Sequence, residues 1–171
     1  MKSYIHVYTG NGKGKTTAAF GLALRAAGAG KKVFIAQFVK GKTYSEIEAV
    51  QKYLPSIQVE QYGLGCFIVN EPTEDDVRAA RNGLEKVRGL ITAGVHDLLV
   101  LDEVFIALYY KLFDAGELID VLKSAKNGME LVLTGRYAPE EIIELADLVT
   151  EMKEIKHYYT SGLQARKGIE Y

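Results

Sequence analysis

The chain has 171 residues, and 21 Lys+Arg against 22 Asp+Glu leave a formal charge of −1, with 48% of residues hydrophobic and 25% charged. That is one ordinary globular domain, long enough to bury roughly two thirds of the surface of its extended chain. A lone cysteine, Cys66, excludes a disulfide framework and fits a reducing compartment; no apolar run approaches the roughly 18 residues of a membrane span, and the polar, glycine-rich opening is no signal peptide, so a cytoplasmic protein without a membrane partner is expected.

Along the chain, runs of apolar, β-branched and aromatic residues at Tyr4–Tyr8, Val33–Phe38, Ile57–Gln61, Leu98–Leu101, Leu131–Leu133 and Leu148–Met152 predict strands. Helical periodicity lies between most of them, which is the pattern of βαβ units and a parallel sheet. Thr73 followed by Asp76 predicts a capping box ahead of a helix that carries Val77, Ala80, Leu84, Val87 and Ile91 on one face. Asp114 and Glu117 repeat the device, and Pro139 in a first helical turn, with Glu140 and Glu141 at the positive dipole end, starts a further short helix. The last 19 residues have no clean period. The expected fold is therefore α/β: a single three-layer domain over residues 1–152, with a mostly parallel sheet of about six strands, which Gly14-Lys15-Thr16 between the first strand and its helix makes phosphate-loop NTPase-like (RecA-like). The tail, 153–171, packs on the same domain.

Charge is unevenly spread. Residues 1–45 hold eight Lys and Arg and no acid before Glu46, so the opening quarter carries +8 and the remainder −9. The lysines are dispersed rather than packed as in a nucleic-acid arm, so the expected ligand is a phosphate-rich small molecule and not a nucleic acid.

The candidate for holding it follows the first strand: Gly10, Asn11, Gly12, Lys13, Gly14, Lys15, Thr16 and Thr17 end as a phosphate-binding loop does. Glycines let backbone N–H groups turn inward at a helix N-terminus, Lys15 adds a point charge, and the Thr16 hydroxyl is placed to hold Mg²⁺. One position departs from the usual pattern, since Thr9 stands where the first glycine is ordinarily found. The apolar run Leu98–Leu101 ends in Asp102 and Glu103, where such proteins place metal-side carboxylates.

Ligands gather at the carboxyl ends of parallel strands. That edge collects the loop, Lys40, Gly63 to Cys66, Asp102 and Glu103, Arg136, and Lys153. Arg136 suits either a phosphate contact or a surface pair with Glu140. Cys66 reads as a packing residue and His6 as core, while His96 and His157 lack metal-ligand spacing.

Together these segments resemble the ATP:corrinoid adenosyltransferases of the phosphate-loop type. The resemblance is carried by Tyr8–Gly21, Arg25-Ala26, Gln37–Gly41, Leu101–Glu103, Leu133–Arg136, Ala146–Glu151 and Gly162–Tyr171, nearly the whole chain. It implies transfer of the 5′-deoxyadenosyl group of ATP to Co(I) of cobalamin or a precursor such as cob(I)yrinic acid a,c-diamide, with triphosphate released and Mg²⁺ on the polyphosphate. It also implies that the polyphosphate lies reversed in the loop relative to common NTPases, exposing the 5′ carbon. Carried over by residue, Gly10 to Thr17 bind triphosphate, Thr16 with Asp102 or Glu103 holds Mg²⁺, and Arg25, Lys40 and Arg136 are further ATP contacts. The family places an aromatic pair of the form Phe-x-Trp after the third strand against the lower face of the corrinoid. This chain has no tryptophan, which leaves Cys66 and Phe67 for that task. A homodimer and a flavoprotein reductant are implied as well, and Phe105–Phe113 suits either a dimer interface or a buried helix. The alternatives from other classes are γ-phosphoryl transfer by a phosphate-loop NTPase or kinase, which leaves ADP, and a nucleotide- or corrinoid-binding regulator without turnover.

Overall fold

The computed structural model describes residues 1–42, 44–65, 68, 71–126 and 128–171. The six apolar runs form strands β1 (Tyr4–Thr9), β2 (Val33–Phe38), β3 (Ile57–Tyr62), β4 (Leu98–Asp102), β5 (Glu130–Thr134) and β6 (Leu148–Glu151). They make one sheet in the order β3-β2-β4-β5-β1-β6. Every pairing is parallel, so the mostly parallel sheet expected is a wholly parallel one.

Such a sheet needs cover on both faces. Helices α1 (Lys15–Gly28) and α2 (Ser45–Tyr53) lie on one side, and α3 (Glu74–Ala93), α4 (Val104–Tyr109), α5 (Ala115–Lys123) and α6 (Glu140–Leu145) on the other. Successive strand residues therefore serve two cores. Phe34, Ala36, Phe38, Leu99 and Leu101 pack toward α3 to α6, while Val33, Ile35, Leu98 and Val100 pack toward α1 and α2. Every residue of β2 and of β4 is buried, which is why these runs read as largely apolar rather than alternating, with Gln37 and Asp102 the polar exceptions.

The caps behave largely as predicted. Thr73 Oγ1 accepts the Asp76 N–H at 3.2 Å while Asp76 Oδ2 accepts the Thr73 N–H at 2.9 Å, and Gly94 in the left-handed region ends α3. Glu117 Oε2 accepts the Asp114 N–H at 2.8 Å ahead of α5. Pro139 stands one step earlier than expected: with φ −63° and ψ 143° it is the cap, and its carbonyl accepts the first helical N–H groups. Phe105 and Phe113 are core residues, whereas Tyr109 is exposed. Among the described residues, no helix is long and apolar enough to cross a membrane.

Parallel strands bring all their carboxyl ends to one edge. The loop after β1, Val39 and Lys40 after β2, Asp102 at the end of β4 and Thr134 at the end of β5 meet there. The strand bearing the loop and the strand bearing Asp102 are separated by β5.

Candidate active site

Thr9 is the last residue of β1, in register with Glu151 of β6, and its carbonyl accepts the Met152 N–H at 2.8 Å. The position where a first loop glycine is ordinary is here strand, so the turn starts at Gly10, which has φ +95°. Gly12 donates its N–H to the Met152 carbonyl at 2.7 Å, pinning the loop to the end of β6. A Cβ on Gly10 or Gly12 would come within 2.5 or 2.7 Å of that same carbonyl oxygen, so the close approach excludes side chains. Gly14, at φ +116°, then hands the chain to α1, whose first turn carries no acidic residue to neutralise its exposed N–H groups.

Lys15 curls back into this loop. Its ammonium donates to the carbonyls of Gly10 at 2.6 Å and Gly12 at 2.7 Å, and burial pushes its pKa below the ordinary lysine value. An anion entering the loop gives this ammonium a partner of full charge in place of two neutral ones.

Next to it, Asp102 is fully buried and saturated with donors. Its Oδ1 accepts from Thr16 Oγ1 at 2.8 Å and Thr134 Oγ1 at 2.7 Å, and its Oδ2 accepts from Lys40 Nζ at 2.8 Å and Gln37 Nε2 at 3.0 Å. Burial pushes its carboxyl up, but the Lys40 ammonium and the Thr134 and Thr16 hydroxyls outweigh that and hold it ionised, below the usual carboxylate range. Burial likewise pushes Lys40 down, and the charges of Asp102 and Glu103 overcome it. Glu103 turns the other way. At φ 57° its backbone N–H donates to Thr134 Oγ1 at 3.0 Å and its side chain lines the cavity, where burial and the neighbouring Asp102 raise its pKa.

The cavity so walled has a volume of about 810 Å³. Asn11 to Thr17, Lys40, Glu103 and Arg136 line it, together with the apolar and aromatic side chains of Phe38, Val39, Ile68, Ile106, Tyr109, Tyr110 and Tyr137. Arg136 is exposed at its rim and makes no ion pair with Glu140 among the described residues. Arg25 lies elsewhere, on the exposed side of α1 ten residues past Lys15 and close to Tyr8, and it is not a lining residue. Cys66 and Phe67 fall outside the described residues.

The tail closes a further side. Lys13 Nζ donates to the Tyr158 hydroxyl at 2.8 Å, the Ile169 carbonyl at 2.9 Å and Glu170 Oε1 at 2.8 Å, and Ser45 Oγ donates to the Tyr171 carbonyl at 3.1 Å. The Lys13 ammonium and the Tyr158 hydroxyl hold the Glu170 carboxyl well below its usual range. A shallow concavity of about 590 Å³ at the opposite end of the sheet, around Lys2 and Lys126, shares none of these residues.

Gln37, Tyr109, Tyr137 and Glu170 are not among the sequence candidates, and Thr134 stands among them only as the start of the strand-end run Thr134-Gly135-Arg136. Gln37 had a signal, as the one polar residue in the run Val33–Phe38, and so did Thr134, at a strand end next to a glycine. Tyr109 and Glu170 lie only within segments singled out for other reasons, Phe105–Phe113 and Gly162–Tyr171, and Tyr137 has no signal.

The whole chain, residues 1–171, matches the family model described as ATP:corrinoid adenosyltransferase BtuR/CobO/CobP. It is 40% identical over 173 residues to a corrinoid adenosyltransferase of Sinorhizobium sp, covering 99% of this chain and 81% of that one. It is 34% identical over 170 residues to the corrinoid adenosyltransferase of Escherichia coli strain K12 and to corrinoid adenosyltransferase CobA of Salmonella typhimurium strain LT2, in each case covering 99% of this chain and 86% of the relative. A polyphosphate-type loop, a buried carboxylate beside its threonine and the full-length match place the chain in the ATP:corrinoid adenosyltransferase family.

Proposed function

We propose that this chain binds ATP with its polyphosphate in the Gly10–Thr17 loop and passes the 5′-deoxyadenosyl group to Co(I) of a reduced corrinoid, releasing triphosphate. The observation that carries the reading is one cavity lined both by a cationic phosphate loop and by aromatic and aliphatic side chains. Two of the groups lining it that could act as nucleophile or base are tied up in other bonds: Ser45 Oγ donates to the Tyr171 carbonyl and His157 Nδ1 accepts the Tyr159 N–H. Neither is paired as nucleophile and base, which suits a reaction in which the metal of the substrate attacks carbon.

What remains for the protein is positioning and charge. The C5′–O bond breaks as the Co–C bond forms, and the bonding electrons leave on the triphosphate oxygen. Lys15, the loop N–H groups and the start of α1 stabilise that departing charge. Lys13, Lys40 and Arg136 supply further cations around it. Arg25 is assigned by resemblance alone, and its place on α1 makes any action on ATP indirect.

Among the described residues no three metal-ligating side chains form a cage. Magnesium seldom needs one, since it is held by one or two carboxylates together with substrate phosphates. The hard oxygen donors Thr16 Oγ1, Asp102 Oδ1 and the Glu103 carboxylate fit it, and bound there it would neutralise polyphosphate charge. Cys66 and Phe67, with the described neighbour Ile68 lining the cavity, are assigned to the lower face of the corrinoid. The same resemblance extends the reading to a cytoplasmic homodimer served by a reduced flavoprotein.

The test is anaerobic incubation with Mg·ATP and chemically reduced cob(I)alamin. Triphosphate should appear in step with light-sensitive adenosylcobalamin, and both should vanish in Lys15→Ala. ADP in place of triphosphate would overturn the reading.

A further inference from the structure

Two tyrosines at the cavity rim have no role in the account so far. Tyr109 ends α4 and Tyr137 follows β5, yet their rings stack with centroids 4.6 Å apart and planes 29° from parallel. They are 58% and 55% exposed, and both line the cavity. Large aromatic side chains ordinarily go inside, so a stacked pair left in solvent at the mouth of a site calls for a partner.

The backbone also bears a cost to put one ring there. Tyr137 has φ +63°, a left-handed conformation that bulky side chains avoid and glycine adopts freely. From the other side Tyr109 is braced by Tyr110, whose ring meets it edge-on at 5.4 Å and whose hydroxyl donates to the Ile68 carbonyl at 3.0 Å. Among the described residues, neither the Tyr109 nor the Tyr137 hydroxyl has a hydrogen-bond partner, and Arg136 precedes the second ring.

We infer that Tyr109 and Tyr137 form an aromatic ledge on which the corrin ring lies, with their free hydroxyls facing its peripheral amide and carboxylate groups. This rests on the adenosyl-transfer reading above, and it assigns residues distinct from Cys66 and Phe67. Size selects the occupant. A cavity of about 810 Å³ is that of an ordinary small-ligand site, and a nucleotide on the loop would take up part of it. A corrin macrocycle with its amide arms is far larger and has to rest across the mouth, where the ledge stands. A flat conjugated ring is the shape two co-stacked phenols can hold, and peripheral amides are what free hydroxyls can bond.

The experiment is anaerobic calorimetric titration of cob(II)alamin into the MgATP-loaded chain, with ATP affinity measured separately and the KM for cob(I)alamin alongside. The variants are Tyr109→Ala with Tyr137→Gly, and Tyr109→Phe with Tyr137→Phe. Glycine suits the backbone at 137, and unfolding midpoints check that each variant is folded. One lost aromatic stack corresponds to about tenfold, so the Ala/Gly pair should weaken corrinoid binding and raise its KM by at least about tenfold with ATP affinity held within about twofold. The Phe pair should lose clearly less. The ledge is overturned if corrinoid affinity and KM do not move, if ATP affinity falls instead, which would make the pair an adenine shelf, or if the Phe pair loses as much as the Ala/Gly pair. Wild-type chain that binds cob(II)alamin without ever adenosylating it would sink the proposed reaction and leave the ledge to be decided by the titration. Wild-type chain that binds no corrinoid would sink both.

Discussion

Lys40 Nζ stands 2.8 Å from Asp102 Oδ2 and 3.3 Å from Thr16 Oγ1, so an ammonium group already neutralises the carboxylate whose other oxygen, Oδ1, is proposed to share a divalent cation with that hydroxyl. Removing the ammonium leaves a buried carboxylate with three neutral donors and no counter-charge. Breaking a buried pair from one side costs about 3–5 kcal/mol, and the retained bonds from Thr16, Gln37 and Thr134 put Lys40→Met at the lower end, about 3 kcal/mol. Urea unfolding at pH 7 measures this. Adding Asp102→Asn to Lys40→Met should recover part of the loss, because the uncompensated charge is then gone. The gap between wild type and Lys40→Met should narrow as pH falls through the ordinary aspartate value of about 3.9, where the variant protonates Asp102 first. A Lys40→Met protein as stable as wild type would show the pair to be energetically idle.

The tail is tied to the phosphate loop by a carboxylate whose pKa is depressed on folding. Glu170 accepts from Lys13 and bonds the Tyr158 hydroxyl, and its side chain is only 17% exposed. A group depressed in the folded state stabilises above its unfolded value and loses that contribution as pH falls below it. Anchoring of the tail should therefore be complete above pH about 5 and weaken progressively below the ordinary glutamate value of about 4.3. The Tyr158 ring resonances report it. In Glu170→Gln they should take their low-pH, released positions already at pH 7. If they stay at the wild-type positions, the ion pair is not what holds the tail.

Much of this was legible in the sequence, for physical reasons that can be named. Strands buried on both faces read as apolar runs, so β2 and β4 were plain. The loop from Gly10 to Thr16 and the acids after β4 carry their own chemistry, and Thr73 with Asp76 is a local device complete within four residues. What could not be read depends on distant packing. Lys40 meets Asp102 across 62 positions and Lys13 meets Glu170 across 157, with no periodicity to announce either. Arg25 was grouped with the ATP contacts, but ten helical residues carry it about 15 Å along α1 from Lys15. Tyr137 gave no sign either, since nothing in a sequence marks a tyrosine with φ +63° as strained.

Loop geometry predicts an asymmetric response at its glycines. At Gly12 a Cβ would meet the Met152 carbonyl oxygen at 2.7 Å and the Lys153 carbonyl carbon and oxygen at 2.9 Å, all of them backbone atoms that cannot swing aside. At Gly14 the nearest atom is Met152 Sδ at 3.6 Å, the flexible end of a side chain, although φ +116° still disfavours a Cβ. Gly12→Ala should push the loop off β6, move the Gly12 carbonyl that Lys15 uses, and weaken ATP binding by at least about tenfold, equal to about 1.4 kcal/mol. Gly14→Ala should cost the fold about 1–2 kcal/mol through backbone strain alone. Calorimetric ATP titration and urea unfolding of the two variants separate the effects. Unchanged ATP affinity in Gly12→Ala would show that the loop tolerates displacement from β6.

Helix α3 offers an internal control on how the cavity floor is packed, because Gly83 and Gly89 lie on its buried and exposed sides. A Cβ on Gly83 would fall 2.7 Å from Tyr62 Cγ and 2.9 Å from Phe38 Cε1, whereas one on Gly89 meets nothing within 4 Å. Alanine raises helix propensity by about 1 kcal/mol at either site, so Gly89→Ala should stabilise by about 0.5–1 kcal/mol. At Gly83 the overpacking cost of about 1–3 kcal/mol opposes that gain, since Phe38 is fully buried, leaving a net loss of up to about 2 kcal/mol. Opposite signs in urea unfolding are the expected result. The consequence reaches function, because Phe38 packs edge-on against Phe113 at 5.8 Å and also lines the cavity. Pressing on its ring should raise the KM for the corrinoid in Gly83→Ala and leave it unchanged in Gly89→Ala. Stabilisation in both variants would mean that the Phe38 and Tyr62 rings yield freely, and that the apolar floor is softer than its burial implies.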